Sequence, residues 1–333
     1  MIYIPNTNLD AALNLAMEEY ILSSGAFTEP VLFFYVNAPS IIIGRHQNTL
    51  DEINESYVRE HGIRVVRRCS GGGAVYHDLG NLNYSLIRPS DRKAVGDFSV
   101  LLTPILEALH ALGLPAELGG RNDLLLNGAK FSGNAYYHNR SGSVTHGTLL
   151  FDSDLGVLSK ALLPAPHKLQ SKGISSVRSR VCCIKDHLPG ISSINDLKEA
   201  IIRFFMSIES ISTCNFNTSD MENIENLADN RYRSDLWNYG ESPSFTERHL
   251  IHTSAGWIDF RADIRKGMVC HVRFFGDYFC SGEISELEAA WPGTHWGPDP
   301  IAEMLQRSGW TDFFPDFPAQ DFIRELFSTK ANA

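Results

Sequence analysis

The chain has 333 residues, 43% of them hydrophobic, and 29 Lys and Arg against 39 Asp and Glu give a net charge of −10. That length is comfortable for two domains and that composition for a soluble core, while the acidity argues against a broad nucleic-acid surface. No apolar run approaches the length of a transmembrane helix, and MIYIPNTNLD has no basic region followed by an apolar stretch, so neither membrane span nor signal peptide is expected.

From Asn8 to Ser24, Leu9, Ala12, Leu13, Ala16, Met17, Tyr20 and Ile21 recur at helical spacing and predict an amphipathic helix. VLFFYV and SIIIG, split by NAPS, read as two strands. EINESYVREHG reads as one helix stopped by Gly62. IRVVRR and AVYH are strands on either side of Gly71, Gly72 and Gly73, and NLNYSLI alternates as a half-buried strand does. FSVLLTPILEALHALG reads as a helix, with Pro104 out of place unless it lies near the first turn. NDLLLNGAKFSGNAYYH is a hairpin turning at Asn127 and Gly128, and SVTHGTLLFD is a long strand. LGVLSKALL is a helix ended by Pro164.

From Pro164 to Arg180 the chain is polar, basic and aperiodic, a long loop of the kind that carries function. The helix INDLKEAIIRFFMSI follows, then a polar region, a junction at DLWNYGESPSF, a hairpin turning at Lys266 and Gly267, and a helical tail. The expected fold class is α+β: a large mixed domain over residues 1–245 and a small α/β domain over residues 250–333.

The densest chemistry is in RRCSGGGAVYHD, residues 67–78. Three glycines remove every Cβ, so the backbone can take positive φ and a ligand can lie on the amides, whose N–H groups attract an anion. Alternation puts Arg67 and Arg68 on opposite faces of their strand, and one of them can aim at a phosphate or carboxylate. The plainer alternative is a Gly-rich hairpin with surface arginines. Lys130, in NGAKFSGNA, is a compact cation that can follow a developing oxyanion, or else an ordinary edge-strand lysine. His146, Gly147 and Thr148 put a glycine in mid-strand, a mark of close approach, although His146 by itself reads more naturally as a structural histidine. Asp123, after Asn122, is placed to accept from an adenine amino group or a ribose hydroxyl, or simply ends a turn. The six cysteines form no C-x-x-C pair, and the adjacent Cys182 and Cys183 make a poor disulfide framework, so reduced thiols in the cytoplasm are the simplest reading. No His or Cys spacing meets a zinc signature, and metal ligands are not assigned.

Four stretches taken together, RRCSGGGAVYHDLGNLNYS, GRNDLLLNGAKFSGNA, HGTLLFDSDL and KGISSVRSRV, resemble the lipoate–protein ligase A family in order and spacing. DLWNYGESPSF resembles the lead into that family's C-terminal accessory domain. The likeness is dense from residue 30 to 185 and thinner after 250. It implies a biotin/lipoate ligase-type large domain with a mixed sheet and flanking helices, and an ATP- and Mg²⁺-dependent enzyme. Lipoate and ATP would give lipoyl-AMP and pyrophosphate, and the acyl group would pass to a lysine of a lipoyl domain. The resemblance makes Lys130 the catalytic contact to acyl carbonyl and α-phosphate, and Arg68 a nucleotide contact. It lines the lipoyl tail and phosphate with Ser70, Gly71, Gly72, Gly73, Ala74, Val75 and Tyr76. It adds His77, Asn81, Asp123, Gly133, His146, Gly147 and Thr148 to the adenylate site. The basic loop with Lys172, Ser176, Val177 and Arg178 would close over the adenylate. Cys69 stands where relatives vary and is expected to pack rather than react.

The implied acceptors are lipoyl domains of 2-oxoacid dehydrogenase complexes and the glycine-cleavage H protein, with no nucleic-acid or membrane partner and a monomeric enzyme. The nearest rival is a lipoyl or octanoyl transferase of the same fold, which uses a cysteine and no ATP. The cysteine of the transferase branch that resembles these ligases would fall in GRNDLLL, which has none. A biotin ligase fits less well, because its basic glycine loop is not matched. A non-catalytic lipoate-binding relative is a third reading, against which Lys130 and Arg68 speak.

Overall fold

Helix Ala11–Ser23 is capped by Asp10, whose carboxylate accepts from Ala12 N–H at 3.0 Å. Leu9, expected in its apolar stripe, lies before that cap and is 45% exposed. Ala11 to Glu18 are all buried, so the helix is enclosed on every side rather than along one stripe. The computed structural model describes residues 1–89, 97–163, 181–240, 245–253 and 256–327. It divides into two compact units, one of Met1–Ile43, Thr49–Cys69 and Ala74–Tyr239, the other of Gly44–Asn48, Ser70–Gly73 and Gly240–Ala333.

The strands of the first unit are β1 (Ile2–Ile4), β2 (Val31–Tyr35), β3 (Ser40–Ile43), β4 (Arg64–Arg67), β5 (Val75–His77), β6 (Asn81–Pro89), β7 (Glu117–Gly119), β8 (Asp123–Leu126), β9 (Ala129–Asn139), β10 (Gly142–Leu150) and β11 (Ser212–Thr213). An eight-stranded sheet runs β11-β1-β2-β6-β10-β9-β8-β7, and a three-stranded sheet runs β4-β3-β5. Both mix parallel with antiparallel pairs: β1 is parallel to β2, β6 antiparallel to β2 and β10, β3 parallel to β4 and antiparallel to β5. The expected α+β class and mixed sheet are borne out. The β8–β9 hairpin turns on Asn127 and Gly128, both at positive φ (51° and 79°).

The helix expected over EINESYVREHG is shorter, and Glu52 belongs instead to a separate short helix, Thr49–Glu52. Ile53 leaves the helical path to bridge Leu162, and Asn54 caps a new helix, Glu55–Glu60, by accepting from Tyr57 N–H. Pro104 lies well inside the continuous helix Phe98–Ala111. The carbonyl it cannot pair with belongs to Val100, which is 59% exposed, so that carbonyl can turn to water. The polar stretch after Ile208 carries the helix Thr218–Leu227, started by an Asn217–Asp220 capping box.

The second unit has an antiparallel sheet of β12 (Glu247–Thr253), β13 (Gly256–Arg265) and β14 (Met268–Gly276). Its core is aromatic: Phe260, Phe274, Trp291, Trp310, Phe314 and Phe322 are all buried.

Candidate functional site

Strand register places polar groups in a row across one face of the large sheet. Asn83 pairs with Thr148 and Ser85 with His146, while Asp123 pairs with Gly133. Helix Ala11–Ser23 packs against β2, β6 and β10 and brings Glu18 to this row. The Glu18 carboxylate accepts from Ser85 Oγ and from Tyr35 Oη (3.1 Å), and its second oxygen lies 2.9 Å from His146 Nδ1. Glu18 is 5% exposed, so it is a buried carboxyl group held by three partners.

Arg68 adds a cation to this interior. Only 6% of it is exposed; its guanidinium donates to the Ile42 carbonyl at 3.1 Å. Burial lowers its pKa to about 10, with Tyr35 and Glu18 acting the other way, so it stays charged at neutral pH. Arg67, on the opposite face, is a structural clamp. It donates to Trp237 O at 2.8 Å, to Thr49 Oγ1 at 2.7 Å and to Asn238 O at 3.0 Å. His77 ends a chain of polar side chains, Asn6 to Asn14 to Asn37 to His77, with links of 2.8, 2.8 and 2.9 Å. Asn37 donates its amide to Nδ1, which leaves the proton on Nε2; that atom has no hydrogen-bond partner among the described residues. Burial, then Arg68, then His146 push the His77 pKa down to about 3, so the ring is neutral. Asn81 donates to Asn83 Oδ1 at 2.9 Å, and its own Oδ1 likewise has no partner among the described residues.

Lys130 owes its direction to a β-bulge. Leu125 faces Lys130 but Leu124 faces Ser132, so Phe131 is an extra residue in β9. Bulges re-aim the side chains beside them. Lys130 Nζ reaches Asp123 Oδ1 at 2.7 Å, with both side chains about a third exposed. It passes over Gly133, where an added Cβ would come within 3.1 Å of Nζ. Gly133 N–H donates to Thr148 Oγ1 at 3.0 Å, which fixes that floor. Gly147 has another reason to be glycine: a Cβ there would overlap Asn134 Oδ1 and crowd Tyr84 Oη. The close neighbours that the mid-strand glycine signalled are side chains. Val181 and Cys182, the first described residues after the basic loop, pair with the Lys130 backbone. Lys172, Ser176, Val177 and Arg178 lie outside the described residues.

The glycine loop belongs to the second unit. Gly72 has φ 87°, a region suited to glycine, and donates its N–H to Tyr278 O at 3.4 Å. A Cβ on Gly71 would overlap the same carbonyl, so part of the loop's bareness admits Tyr278 and Phe279. Ser70 is 1% exposed and Gly73 half-buried. Ala74 and Val75 are half-buried and on different sides. Val75 packs on the core that holds Phe33 and Tyr35, while Ala74 packs, with the buried Tyr76, in a cluster with Ile41 and Ile43. Cys69 is half-buried, 3.1 Å from Tyr232 Oη and 3.7 Å from Glu19 Oε2.

Sequence reading passed over Glu18, Tyr35, Asn37, Asn83 and Ser85. The available signal was Asn14 and Glu18, four apart in a mainly apolar helix, since polar residues at that spacing share one helix face.

The chain matches two family models: "Lipoyl protein ligase A/B catalytic domain" over residues 10–206 and "Bacterial lipoate protein ligase C-terminus" over residues 242–326. The chain belongs to the lipoate–protein ligase family. A lipoate–protein ligase of Staphylococcus aureus is 40% identical over 97% of this chain and 99% of its own length. A putative lipoate protein ligase from Thermoplasma acidophilum, solved with bound lipoic acid, has a TM-score of 0.62 and 28% identity, covering 72% of this chain and 99% of that one. A lipoate-protein ligase A solved with ATP has a TM-score of 0.62 and 29% identity, covering 72% and 98%. The family resemblance carried by the four sequence stretches is therefore borne out. No helix among the described residues is long and apolar enough to cross a membrane.

Proposed function

We propose that the chain is an ATP-dependent lipoate–protein ligase that works in two steps. The carboxylate of free lipoate attacks the α-phosphate of ATP, pyrophosphate leaves, and lipoyl-AMP remains bound. The ε-amine of a lysine on a lipoyl domain then attacks the acyl carbon, and AMP leaves as the amide forms. Lipoyl domains of 2-oxoacid dehydrogenase complexes and the glycine-cleavage H protein are the proposed acceptors. The enzyme is proposed to act as a monomer in the cytoplasm, where its six free cysteines stay reduced.

The observation that carries this reading is the placement of Lys130. A bulge turns it over a glycine floor toward a partly exposed carboxylate. An ion pair that open to water is worth about 0.2–1 kcal/mol, so Lys130 can exchange Asp123 for a phosphate oxygen at little cost. As carboxylate and phosphate approach, Lys130 and Arg68 offset the accumulating negative charge. Relatives solved with ATP or lipoic acid support the choice of substrates. Mg²⁺ does not fit a protein cage here: among the described residues no three His, Cys, Asp or Glu side chains converge. Mg²⁺ would then arrive on the ATP phosphates, and no step is assigned to a protein-held ion.

The test is pyrophosphate release from ATP that depends on free lipoate. Lys130→Ala should lower it by about 10²–10³ with the fold intact, the usual loss for one charge-stabilising donor. Near-normal adenylate formation by that variant would remove Lys130 from the mechanism. A wild type that binds lipoate but releases no pyrophosphate would favour the non-catalytic reading.

A further inference from the structure

The His77 ring ends a relay whose direction two backbone carbonyls decide. Asn14 Nδ2 lies 3.0 Å from Asn8 O and 3.4 Å from Val36 O. A main-chain carbonyl only accepts, so this end of the Asn14 side chain is its NH2 group. The same nitrogen donates to Asn37 at 2.8 Å, which makes that atom of Asn37 the oxygen Oδ1. Asn37 then has its NH2 group for His77, 2.9 Å from Nδ1. Nδ1 accepts, and the ring proton sits on Nε2. The tautomer is set by atoms that have no choice of role.

Alternation along β5 puts His77 on the face of Val75, which packs on the core that holds Phe33 and Tyr35. Arg68 and His146 are near enough to act on the charge of the ring. The ring therefore shares the interior of Arg68 and the polar row of the large sheet, all within one compact unit. Ser40 lies opposite His77 in the β3–β5 pairing, so the two side chains stand on one face. His77 is 4% exposed and Ser40 1%. Neither His77 Nε2 nor Ser40 Oγ has a hydrogen-bond partner among the described residues. Buried polar groups are nearly always paired, so two neighbours left open mark a place for an oxygen that the protein does not supply.

We infer that Asn37 is a positioning residue, which holds His77 as a fixed, neutral Nε2–H donor to an anionic oxygen of the substrate, the lipoate carboxylate or an ATP phosphate. The inference rests on the ligase reading for the identity of those substrates. Arg68 supplies charge in this interior, and His77 supplies direction. The other tautomer would turn a nitrogen lone pair toward the same oxygen and repel it. His77 keeps its Nε2 proton throughout, so the role is binding and not proton transfer.

Nitrogen-15 NMR of the full chain, labelled at histidine, reads the tautomer directly. The His77 signals are assigned by their absence from His77→Gln. Free lipoate and a non-hydrolysable ATP analogue are added separately. The wild type should carry its proton on Nε2, and the Nε2 signal should shift with the substrate whose oxygen it meets, which identifies the source. That arm needs no variant to fold. Asn37→Asp presents an acceptor to Nδ1, so the ring proton should move there. KM for that same substrate should rise about tenfold, the scale of one hydrogen bond, with kcat for pyrophosphate release within about threefold. His77→Gln keeps a side-chain N–H and should stay closer to wild type than His77→Met. Asn37→Asp should cost less in the His77→Gln background than in the wild type, because glutamine has no tautomer to lose. A purely structural Asn37 would lower the melting temperature and leave tautomer and KM unmoved, which overturns the inference. So does a wild-type His77 with its proton on Nδ1, or an Nε2 signal that neither substrate shifts, the result expected of a site for buried water. A wild type with no lipoate-dependent pyrophosphate release overturns the ligase reading, while an Nε2 signal that still shifts with lipoate sustains the donor role.

Discussion

At the scale of single residues, what matters most is what lies beside Lys130 rather than Lys130 itself. The lysine stood out in the sequence because Gly and Ser surround it. The residue that lets it lie flat across the sheet is Gly133, whose φ is ordinary and whose only peculiarity is the lysine above it. Gly133→Val should therefore lift Lys130 off its floor without straining the backbone. Lipoyl-adenylate formation should fall by about tenfold or more, approaching the loss from removing the donor outright. A stopped-flow or pyrophosphate-release assay on a variant of unchanged melting temperature checks this. Wild-type rates in Gly133→Val would mean that the Lys130 position over Gly133 is not the reactive one. Ser70 to Tyr76 read as one cradle in the sequence, but residues only one apart go to different places. Val75 goes to one core and Tyr76 to another, and Gly71 is bare partly for the Tyr278 carbonyl. Sequence spacing marks a glycine as necessary; it does not say which neighbour makes it so.

Among elements, strands and hairpins were the legible part. β8–β9 and β13–β14 turn where Asn-Gly and Lys-Gly demand it, and β2, β3, β6 and β10 lie where their β-branched and aromatic runs begin. Less legible were interruptions caused by distant partners. Ile53 breaks a helix because Leu162 is its bridge partner, more than a hundred residues on, and no local pattern contains that fact. Helix Thr218–Leu227 went unread because only Met221, Ile224 and Leu227 mark its inner side. The buried chain Asn6, Asn14, Asn37, His77 likewise joins four segments, and it makes stability depend on pH. The His77 pKa is about 3 in the fold against 6.5 unfolded. Between those values the unfolded chain binds a proton that the folded chain does not, so stability is full above pH 6.5 and is lost as pH falls towards 3. The slope from this one group is about 1.4 kcal/mol per pH unit. His77→Gln, which keeps a neutral polar side chain, should flatten the fall in urea midpoint between pH 6.5 and pH 5, and equal slopes in the two proteins would show that acid acts elsewhere.

For the whole molecule the question is whether the acyl group ever rests on the enzyme. A thiol transferase needs a cysteine that ionises easily, usually through a neighbouring histidine or cation. Cys69 lies beside the Glu19 carboxylate and the Tyr232 hydroxyl, with Arg231 Nη1 4.0 Å from its sulfur. Cys280 does meet a histidine, 3.4 Å from His46 Nε2, but burial, then Glu283, pushes its thiol up to about 12. Cys280 is therefore not prepared as a nucleophile at neutral pH. Lys130 and Arg68 would stabilise an oxyanion in either route, but only the adenylate route, the one that relatives named as ligases favour, also brings a phosphate to them. Strict dependence on ATP and free lipoate is therefore expected, with no lipoylation from an acyl group supplied on a protein. Cys69→Ser and Cys280→Ser should each keep most of the ATP-dependent activity, because each swap conserves size and removes only the sulfur. Hydroxylamine-sensitive label on the enzyme after turnover with radioactive lipoate, located by mass spectrometry at either cysteine, would sink the adenylate route. Label that leaves the enzyme as acid-labile lipoyl-AMP, and reaches an acceptor lysine when a lipoyl domain is added, is the outcome this site chemistry requires.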